Sequence, residues 1–255
     1  MKKQIITFGS CMSEGVYAAL TRLHPTQDWS YLNHIIHNRS DYFINSFIEK
    51  TQSPVGIEDV SDADNDTSPN FPSISLINEG KQFILNQSYS CIGLNGVDWR
   101  ISFLDNLKSQ SVNIILMDNF MDIATRLVRD KITGKCFFIH SASYSPELFS
   151  NRFVFTDFLS PEISILNYLK IIDWLSVLQP NTAIYFLPFP SIVHGHQGRD
   201  SVIRAADFRY KLVNNPLSIP MLYTLDVEER HMLSIDDWCH YAPSYYLEIA
   251  KQILI

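Results

Sequence analysis

The chain has 255 residues, of which 46% are hydrophobic and 18% are charged, and its formal net charge is −7. This composition is typical of a folded globular protein with one sizeable core, and it excludes an intrinsically disordered chain. Because no cluster of Lys and Arg is present, nucleic acid and anionic membranes are not expected as partners.

The ends and the cysteines of the chain give expectations about its compartment. The apolar stretch before Gly9 is too short for the core of a signal peptide, and no apolar run reaches the length of a membrane span. The four cysteines are scattered without a C-x-x-C pair. We therefore expect neither a disulfide framework nor a zinc site, and we predict a reduced, cytoplasmic protein.

Apolar runs rich in β-branched residues predict buried parallel strands, and the amphipathic stretches between them predict helices. In chain order the predicted elements are strand Gln4–Phe8, helix Ser13–Leu23 with Ser13 as its N-cap, strand Tyr31–Ile36, helix Asp98–Ser109, strand Val112–Met117, helix Pro161–Leu178, strands Ala183–Leu187 and Pro220–Leu225, and helix Pro243–Leu254. This alternation predicts a flavodoxin-like three-layer α/β/α sandwich around a central parallel five-stranded sheet, in a single domain spanning residues 1–255.

Residues 52–75 do not fit this alternation. They are polar and contain three prolines, which predicts an exposed loop or insertion. The spacing of Asp62, Asp64 and Asp66 is similar to that of a calcium-binding loop. The glycine and the glutamate that such a loop requires are missing, so a solvated loop is the favoured interpretation.

Ser10 follows the first predicted strand directly and precedes a predicted helix. Open α/β sheets bind ligands at this edge, and the partial positive charge of a helix N-terminus favours a developing oxyanion. Ser10 is therefore a candidate nucleophile whose own N–H could stabilise the oxyanion. The alternative is that Gly9-Ser10 is only a turn and a helix cap.

Asp237 and His240 stand three residues apart just before the last predicted helix. One short loop would then carry a general base, His240, and the carboxylate that orients it. In the alternative interpretation His240 is a surface residue and Asp237 caps a helix. Ser13 and Cys11 are rival nucleophiles, and Asp236 is a rival carboxylate.

A third segment places an amide at the same edge of the sheet. The apolar strand Val112–Met117 is followed by Asp118-Asn119-Phe120. The side chain of Asn119 could donate a hydrogen bond to an oxyanion, or it could be an ordinary buried turn residue.

These three segments together resemble the SGNH (GDSL-like) hydrolase superfamily, in which the serine comes first and the D-x-x-H segment last. The opening Gly9-Ser10-Cys11 is similar to G-S-C variants such as the GSCFA family and related capsule-associated proteins, although the more usual pattern is Gly-Asp-Ser. The run Phe186–Pro190, followed by His194, resembles the Ser-Pro and His region of that group. The resemblance implies Ser10 as nucleophile, His240 as base, Asp237 as its orienter, and Asn119 with the Ser10 N–H as oxyanion donors.

The second segment of that superfamily, which carries an oxyanion glycine, has no evident counterpart. The backbone N–H groups of Asn38, Arg39 and Ser40 are candidates to replace it. Arg39 could also bind an anionic part of a substrate together with Ser40. For His194 and His196, contact with substrate or a role as ordinary loop residues is expected rather than a metal site, because no third ligand is evident nearby.

The function implied by the resemblance is that of a serine esterase that removes a short acyl group, such as acetyl, from a carbohydrate. Neither a cofactor nor a metal is expected. One alternative is an O-acyltransferase that moves the acyl group from a donor such as acetyl-CoA to a sugar hydroxyl in polysaccharide biosynthesis. The other is a non-catalytic saccharide-binding module with the same fold.

Overall fold

The computed structural model describes residues 2–36, 38–54, 103–109, 111–138 and 153–253. The strands are β1 (Lys3–Gly9), β2 (Trp29–Ile36), β3 (Ile114–Asp118), β4 (Val128–Asp130), β5 (Cys136–Phe137), β6 (Phe153–Phe155) and β7 (Ala183–Leu187). The α-helices are α1 (Cys11–Leu23), α2 (Ser40–Phe43), α3 (Phe103–Ser109), α4 (Phe120–Ala124), α5 (Pro161–Leu178), α6 (Asp200–Asn214) and α7 (Pro243–Ala250). A π-helical turn, Ile44–Ile48, continues α2, and Glu229–His231 form a 3₁₀ turn.

Part of the sequence prediction falls outside the described residues. This applies to the predicted insertion from residue 55 onward, to the three aspartates with calcium-like spacing, and to residues 98–102 of a predicted helix. These expectations stay predictions.

The main sheet has four parallel strands in the order β2-β1-β3-β7. The strand and the helix predicted at Ala183–Leu187 and Pro161–Leu178 have the predicted bounds. The prediction of a fifth parallel strand is wrong for the described residues, because Pro220–Leu225 contributes only one bridge, between Phe186 and Met221. The pairing does not continue because the next residue that would donate to this segment is Pro188, which has no N–H, and the Pro188 carbonyl accepts the Thr224 hydroxyl at 2.8 Å.

Helices bury both faces of this sheet. On one face, Ile6, Phe8, Ile115 and Met117 belong to a core cluster that includes the buried residues of α5. On the other face, alternate residues of the same strands pack with the buried residues of α1 and α7. The protein therefore has a mixed α/β fold. The sequences of its main strands are continuous apolar runs because helices cover both sides of the sheet.

A second sheet was not predicted. Its three short antiparallel strands have the order β5-β4-β6, and Val128, Phe137 and Phe153 join the same core cluster as α5. Strands of two or three residues are too short for a recognisable period-two pattern. No described helix combines the length and the apolar character that crossing a membrane requires.

All four strands of the main sheet run in the same direction, so their carboxyl ends lie at one edge. Ser10 follows β1, residues 38–40 follow β2, Asn119 follows β3, and Phe189 follows β7. The topology therefore brings the candidate segments to one edge of the sheet.

Candidate active site

Ser10 lies at the junction of β1 and α1 and is the N-cap of α1. Its backbone is extended, its Oγ accepts a hydrogen bond from the Met12 N–H at 3.1 Å, and its side chain is buried. The prediction of Ser13 as the cap is wrong, because the helix begins earlier and Ser13 donates its hydroxyl to the Ser10 carbonyl at 3.0 Å. Ser10 therefore caps the helix, which was the alternative interpretation of the sequence. It also lies at the edge of the sheet where the sequence analysis expected a nucleophile.

A buried carboxylate holds this junction. Oδ2 of Asp118, the last residue of β3, accepts the Ser10 N–H at 2.8 Å and the Ser13 N–H at 3.1 Å. Burial raises the pKa of Asp118 in spite of these bonds and of a third from the Phe120 N–H. Because the Ser10 N–H donates to Asp118, an oxyanion could use it only if that bond were exchanged, and this role of Ser10 stays a prediction.

Gly9 is what allows the carboxylate to approach so closely. Its φ of +146° is unfavourable for residues with a side chain. A Cβ atom at this position would lie 2.6 Å from Asp118 Oδ1, well inside contact distance. The carboxylate on the neighbouring strand thus fills the space that a side chain before Ser10 would need.

Asn119 is completely buried, and only half of its amide has a partner. Its Oδ1 accepts the Phe189 N–H at 2.7 Å, which fixes the orientation of the amide. No described residue accepts a hydrogen bond from Nδ2. Leaving such a donor unpaired costs about 1–3 kcal/mol, so a ligand oxygen is its natural partner.

Asn119 also lies at the level of Ser10. Phe8 of β1 pairs with Met117 of β3, and continuing this register by two residues brings Ser10 beside Asn119. Neighbouring strands are about 4.8 Å apart, so the free donor of Asn119 is within side-chain reach of an acyl group on Ser10.

Asp237 and His240 form a hydrogen-bonded pair. His240 Nδ1 lies 2.8 Å from Asp237 Oδ2 and 3.0 Å from Oδ1, whereas the rival Asp236 makes no such contact. Partial burial raises the pKa of Asp237, but bonds from the Cys239 N–H and from His240 outweigh this effect and hold the pKa below its usual value. No partner of His240 Nε2 is found among the described residues, so that nitrogen is available to take a proton.

Aromatic packing anchors the loop that carries this pair. The Trp238 ring lies 5.5 Å from the Phe120 ring and 5.7 Å from the Phe189 ring, centroid to centroid. Phe120 follows Asn119 in the chain, and the N–H of Phe189 holds the Asn119 amide. The loop with Asp237 and His240 is therefore packed against the same elements that fix Asn119.

Electrostatic coupling connects this loop to the start of α1. Burial raises the pKa of Cys11 to about 12, and the negative charges of Asp118 and Asp237 add to the effect. Because Cys11 follows Ser10 directly, the negative charge of Asp237 also acts on the segment that begins at Ser10. A thiol with so high a pKa is protonated at neutral pH, which disfavours Cys11 as the nucleophile. The described residues form no hydrogen bond between Ser10 and His240.

Arg39 and Ser40 have partners within the protein. The Arg39 guanidinium donates to both oxygens of Asp41, at 2.8 and 2.6 Å, and to the Asp157 carbonyl at 3.0 Å. Ser40 donates its N–H to Asp122 Oδ1 at 2.8 Å and its hydroxyl to Oδ2 at 2.6 Å. Substrate binding by either side chain stays a prediction and would have to compete with these bonds.

His194 and His196 lie in the loop after β7. His196 Nε2 lies 2.8 Å from the Ile235 carbonyl, and His194 Nε2 lies 3.9 Å from an oxygen of the exposed Glu229. The contact with Ile235 joins this loop to the segment that carries Asp237. His196 thus contacts the segment that carries Asp237, and contact of either histidine with substrate stays a prediction.

One group of side chains could hold a metal ion. Asp237, Cys239 and His240 each offer a ligand atom, these atoms lie within 4.8 Å of one another, and no other such group of three is found in the described part of the chain. A metal on His240 Nδ1 would replace its hydrogen bond to Asp237. The expectation of a metal-free site stays a prediction.

The sequence analysis missed Asp122. This buried residue of α4 accepts hydrogen bonds from Ser40 and from the Ser164 hydroxyl, and Asn167 donates to the Ser40 hydroxyl at 3.0 Å. It therefore ties the segment after β2 to α4 and α5. A carboxylate inside an apolar segment such as 120–124 is the only sequence signal for this role, and it is a weak one.

We expect Asp122 to make stability depend on pH. Burial raises its pKa from 3.8 to about 6, against the lowering effect of the bonds from Ser164 and Ser40. The folded state thus binds this proton more tightly than the unfolded state. The contribution of protonated Asp122 to the free energy of unfolding is therefore complete below pH ~4 and is lost as the pH rises through ~6. Relative to Asp122→Asn, the free energy of unfolding of the wild type should fall by on the order of 2–3 kcal/mol across this pH range.

Urea unfolding between pH 4 and pH 8 measures this difference. Asp173→Asn, at an exposed position on α5, is the matched control and should show no such window. A wild type and an Asp122→Asn variant whose stabilities differ by the same amount at every pH would contradict the prediction.

No protein-family model matches this sequence, and no curated protein matches it. Among solved structures, a Bacteroides fragilis protein described as an acylhydrolase is 10% identical, with a TM-score of 0.45, over 98% of this chain and 85% of that one. A family two carbohydrate esterase from Clostridium thermocellum, in complex with cellohexaose, is 9% identical with a TM-score of 0.44, and this chain spans 61% of it. A GDSL-like lipase from Bacteroides thetaiotaomicron is 9% identical with a TM-score of 0.42, over 98% of this chain and 86% of that one. At such low identities and TM-scores the likeness assigns no activity to this chain.

Proposed function

We propose that this protein is an SGNH-type serine esterase that removes a short acyl group, such as acetyl, from a carbohydrate. The observation that carries the proposal is the Asp237–His240 pair, in which Nδ1 is bound to the carboxylate and Nε2 has no partner among the described residues. This is the arrangement that a general base needs, because the carboxylate fixes the tautomer and leaves Nε2 to accept a proton. The free donor of Asn119 beside Ser10 supports it.

In the proposed reaction the Ser10 hydroxyl attacks the acyl carbonyl carbon, and its proton passes to His240 Nε2. The carbonyl electron pair moves onto the oxygen, which accepts a hydrogen bond from Asn119 Nδ2. His240 then gives the proton to the leaving sugar oxygen as the ester bond breaks and an acyl-Ser10 remains. Water, deprotonated by His240, attacks this acyl group, the bond between the acyl carbon and the Ser10 oxygen breaks, and His240 returns the proton to that oxygen as the carboxylic acid leaves.

The resting arrangement of Ser10 has a consequence for this reaction. Its Oγ accepts the Met12 N–H with a lone pair, which leaves the O–H proton to be transferred. No hydrogen bond between Ser10 and His240 is formed among the described residues, so the serine side chain or the loop with His240 has to move first. Giving up a helix N-cap costs about 1 kcal/mol, which substrate binding can supply. Catalytic hydrogen bonds are often formed only in the complex with substrate.

A reaction with p-nitrophenyl acetate tests the proposal. We expect steady release of p-nitrophenol, and intact-mass measurement of rapidly quenched enzyme should find one added acetyl group, which peptide mapping assigns to Ser10. Heat-inactivated protein is the control for nonspecific acetylation. Absence of both release and adduct, also with acetylated sugars, would contradict an esterase. An adduct that persists until a sugar is added would indicate the acyltransferase instead.

A saccharide-binding module is the second candidate. It is favoured by the bonds that already occupy Ser10, whose Oγ accepts the Met12 N–H and whose N–H donates to Asp118. In that case acetylated or free oligosaccharides would bind without turnover. Calorimetry with these sugars, beside the p-nitrophenyl acetate assay, separates the two functions.

A further inference from the structure

The segment that follows β2 crosses the sheet edge beside Ser10. Ser40 is hydrogen-bonded through both its N–H and its hydroxyl to Asp122, which belongs to α4 after β3. In the sheet, β1 lies between β2 and β3. A segment that begins at the end of β2 and is fixed to a helix after β3 must therefore pass across the carboxyl end of β1, where Ser10 lies.

Asn38 lies close to the level of Ser10 in the sheet register. Gly9 pairs with Ile36, so continuing the register puts Asn38 one residue beyond Ser10, on the side of β1 opposite Asn119. Two strand spacings separate the backbones of the two asparagines, roughly 10 Å, with the serine between them. Two amide side chains can reach a common oxygen across that span.

The amide of Asn38 is buried, and no described residue pairs with it. The residue is 1% exposed, and neither its Nδ2 nor its Oδ1 has a hydrogen-bond partner within the described parts of the chain. The backbone N–H of Ser40, one of the donors that the sequence offered for the missing second segment, is already taken by Asp122 at 2.8 Å. Buried polar groups are nearly always paired, so an entirely free amide beside a candidate nucleophile indicates a ligand that the resting protein lacks.

We propose that the Asn38 side-chain amide is the second oxyanion donor of this enzyme. The inference rests on the proposed function. Nδ2 of Asn38 and Nδ2 of Asn119 donate from opposite sides of β1 to the oxygen that becomes negative when Ser10 attacks the acyl carbon. The two amides take the place of a backbone glycine donor. Burial holds both of them in position before the reaction, and no described residue accepts a hydrogen bond from either Nδ2.

Three variants test the inference in the p-nitrophenyl acetate assay. Asn38→Ala should lower kcat by about 10²-fold, as loss of one oxyanion donor does, with KM changed by less than about threefold. Asn38→Asp, which keeps the size but presents an acceptor, should lower kcat at least as much. Asn113→Ala, at the opposite end of the sheet, where Asn113 contacts the Gln4 N–H, is the matched control and should retain kcat.

Thermal unfolding distinguishes catalysis from a structural role. Because the Asn38 amide bonds to no residue that the structure describes, Asn38→Ala should keep the wild-type Tm while kcat falls. A fall in kcat that accompanies a large loss of Tm, or an unchanged kcat, would overturn the inference. If the wild type itself neither turns over substrate nor forms an acyl adduct, the proposed function fails and this inference with it.

A second measurement uses the wild-type chain alone. A fluorophosphonate should react with Ser10, forming a P–O bond and releasing fluoride, and its phosphoryl oxygen then occupies the position of the oxyanion. In ¹⁵N-labelled protein we expect the side-chain NH₂ resonances of Asn38 and Asn119 to shift on labelling and that of Asn113 to stay. A labelled enzyme in which only Asn119 responds would overturn the role of Asn38 and leave the esterase intact.

Discussion

Replacing Ser10 with alanine is expected to abolish the acetyl adduct and to lower kcat for p-nitrophenyl acetate by roughly 10⁴- to 10⁶-fold. The hydroxyl is the only protein group in the proposed mechanism that bonds to the acyl carbon, so no other side chain of the mechanism can form the acyl-enzyme. The fold should persist, because the structural loss is one helix cap, about 1 kcal/mol. Stopped-flow release of p-nitrophenol and intact-mass measurement give the two readouts.

Ser13→Ala is the matched control for this variant. Ser13 is a buried serine of the same helical turn, and its hydroxyl donates to the Ser10 carbonyl at 3.0 Å. We expect it to keep the adduct and most of kcat. If Ser10→Ala still forms an adduct and Ser13→Ala does not, Ser13 is the nucleophile and the assignment of Ser10 is wrong.

The second large effect is expected from Asp237→Asn, which should lower kcat by about 10³- to 10⁴-fold at neutral pH. The amide is isosteric with the carboxylate, but it no longer holds Nδ1 of His240 as the proton-bearing nitrogen and no longer stabilises the imidazolium. Since Asp237 is partly exposed, the Tm should change little.

Asp236→Asn is the control for the effect of removing one negative charge from this loop. Asp236 is exposed and does not contact His240. Its variant should keep kcat within roughly twofold of the wild type. Equal losses in the two variants would mean that the charge of the loop matters rather than the Asp237–His240 hydrogen bond.

The parts of the fold that could be predicted from sequence are those with a long regular pattern. Pro161–Leu178 combines a proline in the first turn with apolar residues at helical spacing, and the structure has the helix at those bounds. The predicted strand Pro220–Leu225 is equally apolar, but its pairing with β7 stops after one bridge, because Pro188 offers no N–H to continue it. Which partner a short apolar run finds is a tertiary property, so the sequence could not exclude the fifth strand.

In the candidate site, too, contacts within one loop were predictable and contacts between distant segments were not. The Asp237–His240 contact was predictable because both residues lie in one loop three positions apart. The roles of Asp118 and Asp122 were not, since their partners Ser10 and Ser40 lie far away in the sequence. Pairing across strands depends on the register of β1, β2 and β3, which no local pattern specifies.

The close approach of Gly9 and Asp118 has a consequence for how this protein can vary during evolution. Since a Cβ at position 9 would overlap the Asp118 carboxylate, and since the φ of Gly9 also disfavours a side chain, position 9 cannot become larger without a change at position 118 and in the backbone of the turn. Relatives that carry a larger residue before the serine should have a glycine or another small residue at the end of the third strand. Among homologous sequences the residues at positions 9 and 118 should therefore covary in size, because their side chains would occupy the same space. A natural chain with an acidic residue at both would show that the nucleophile turn had been rebuilt.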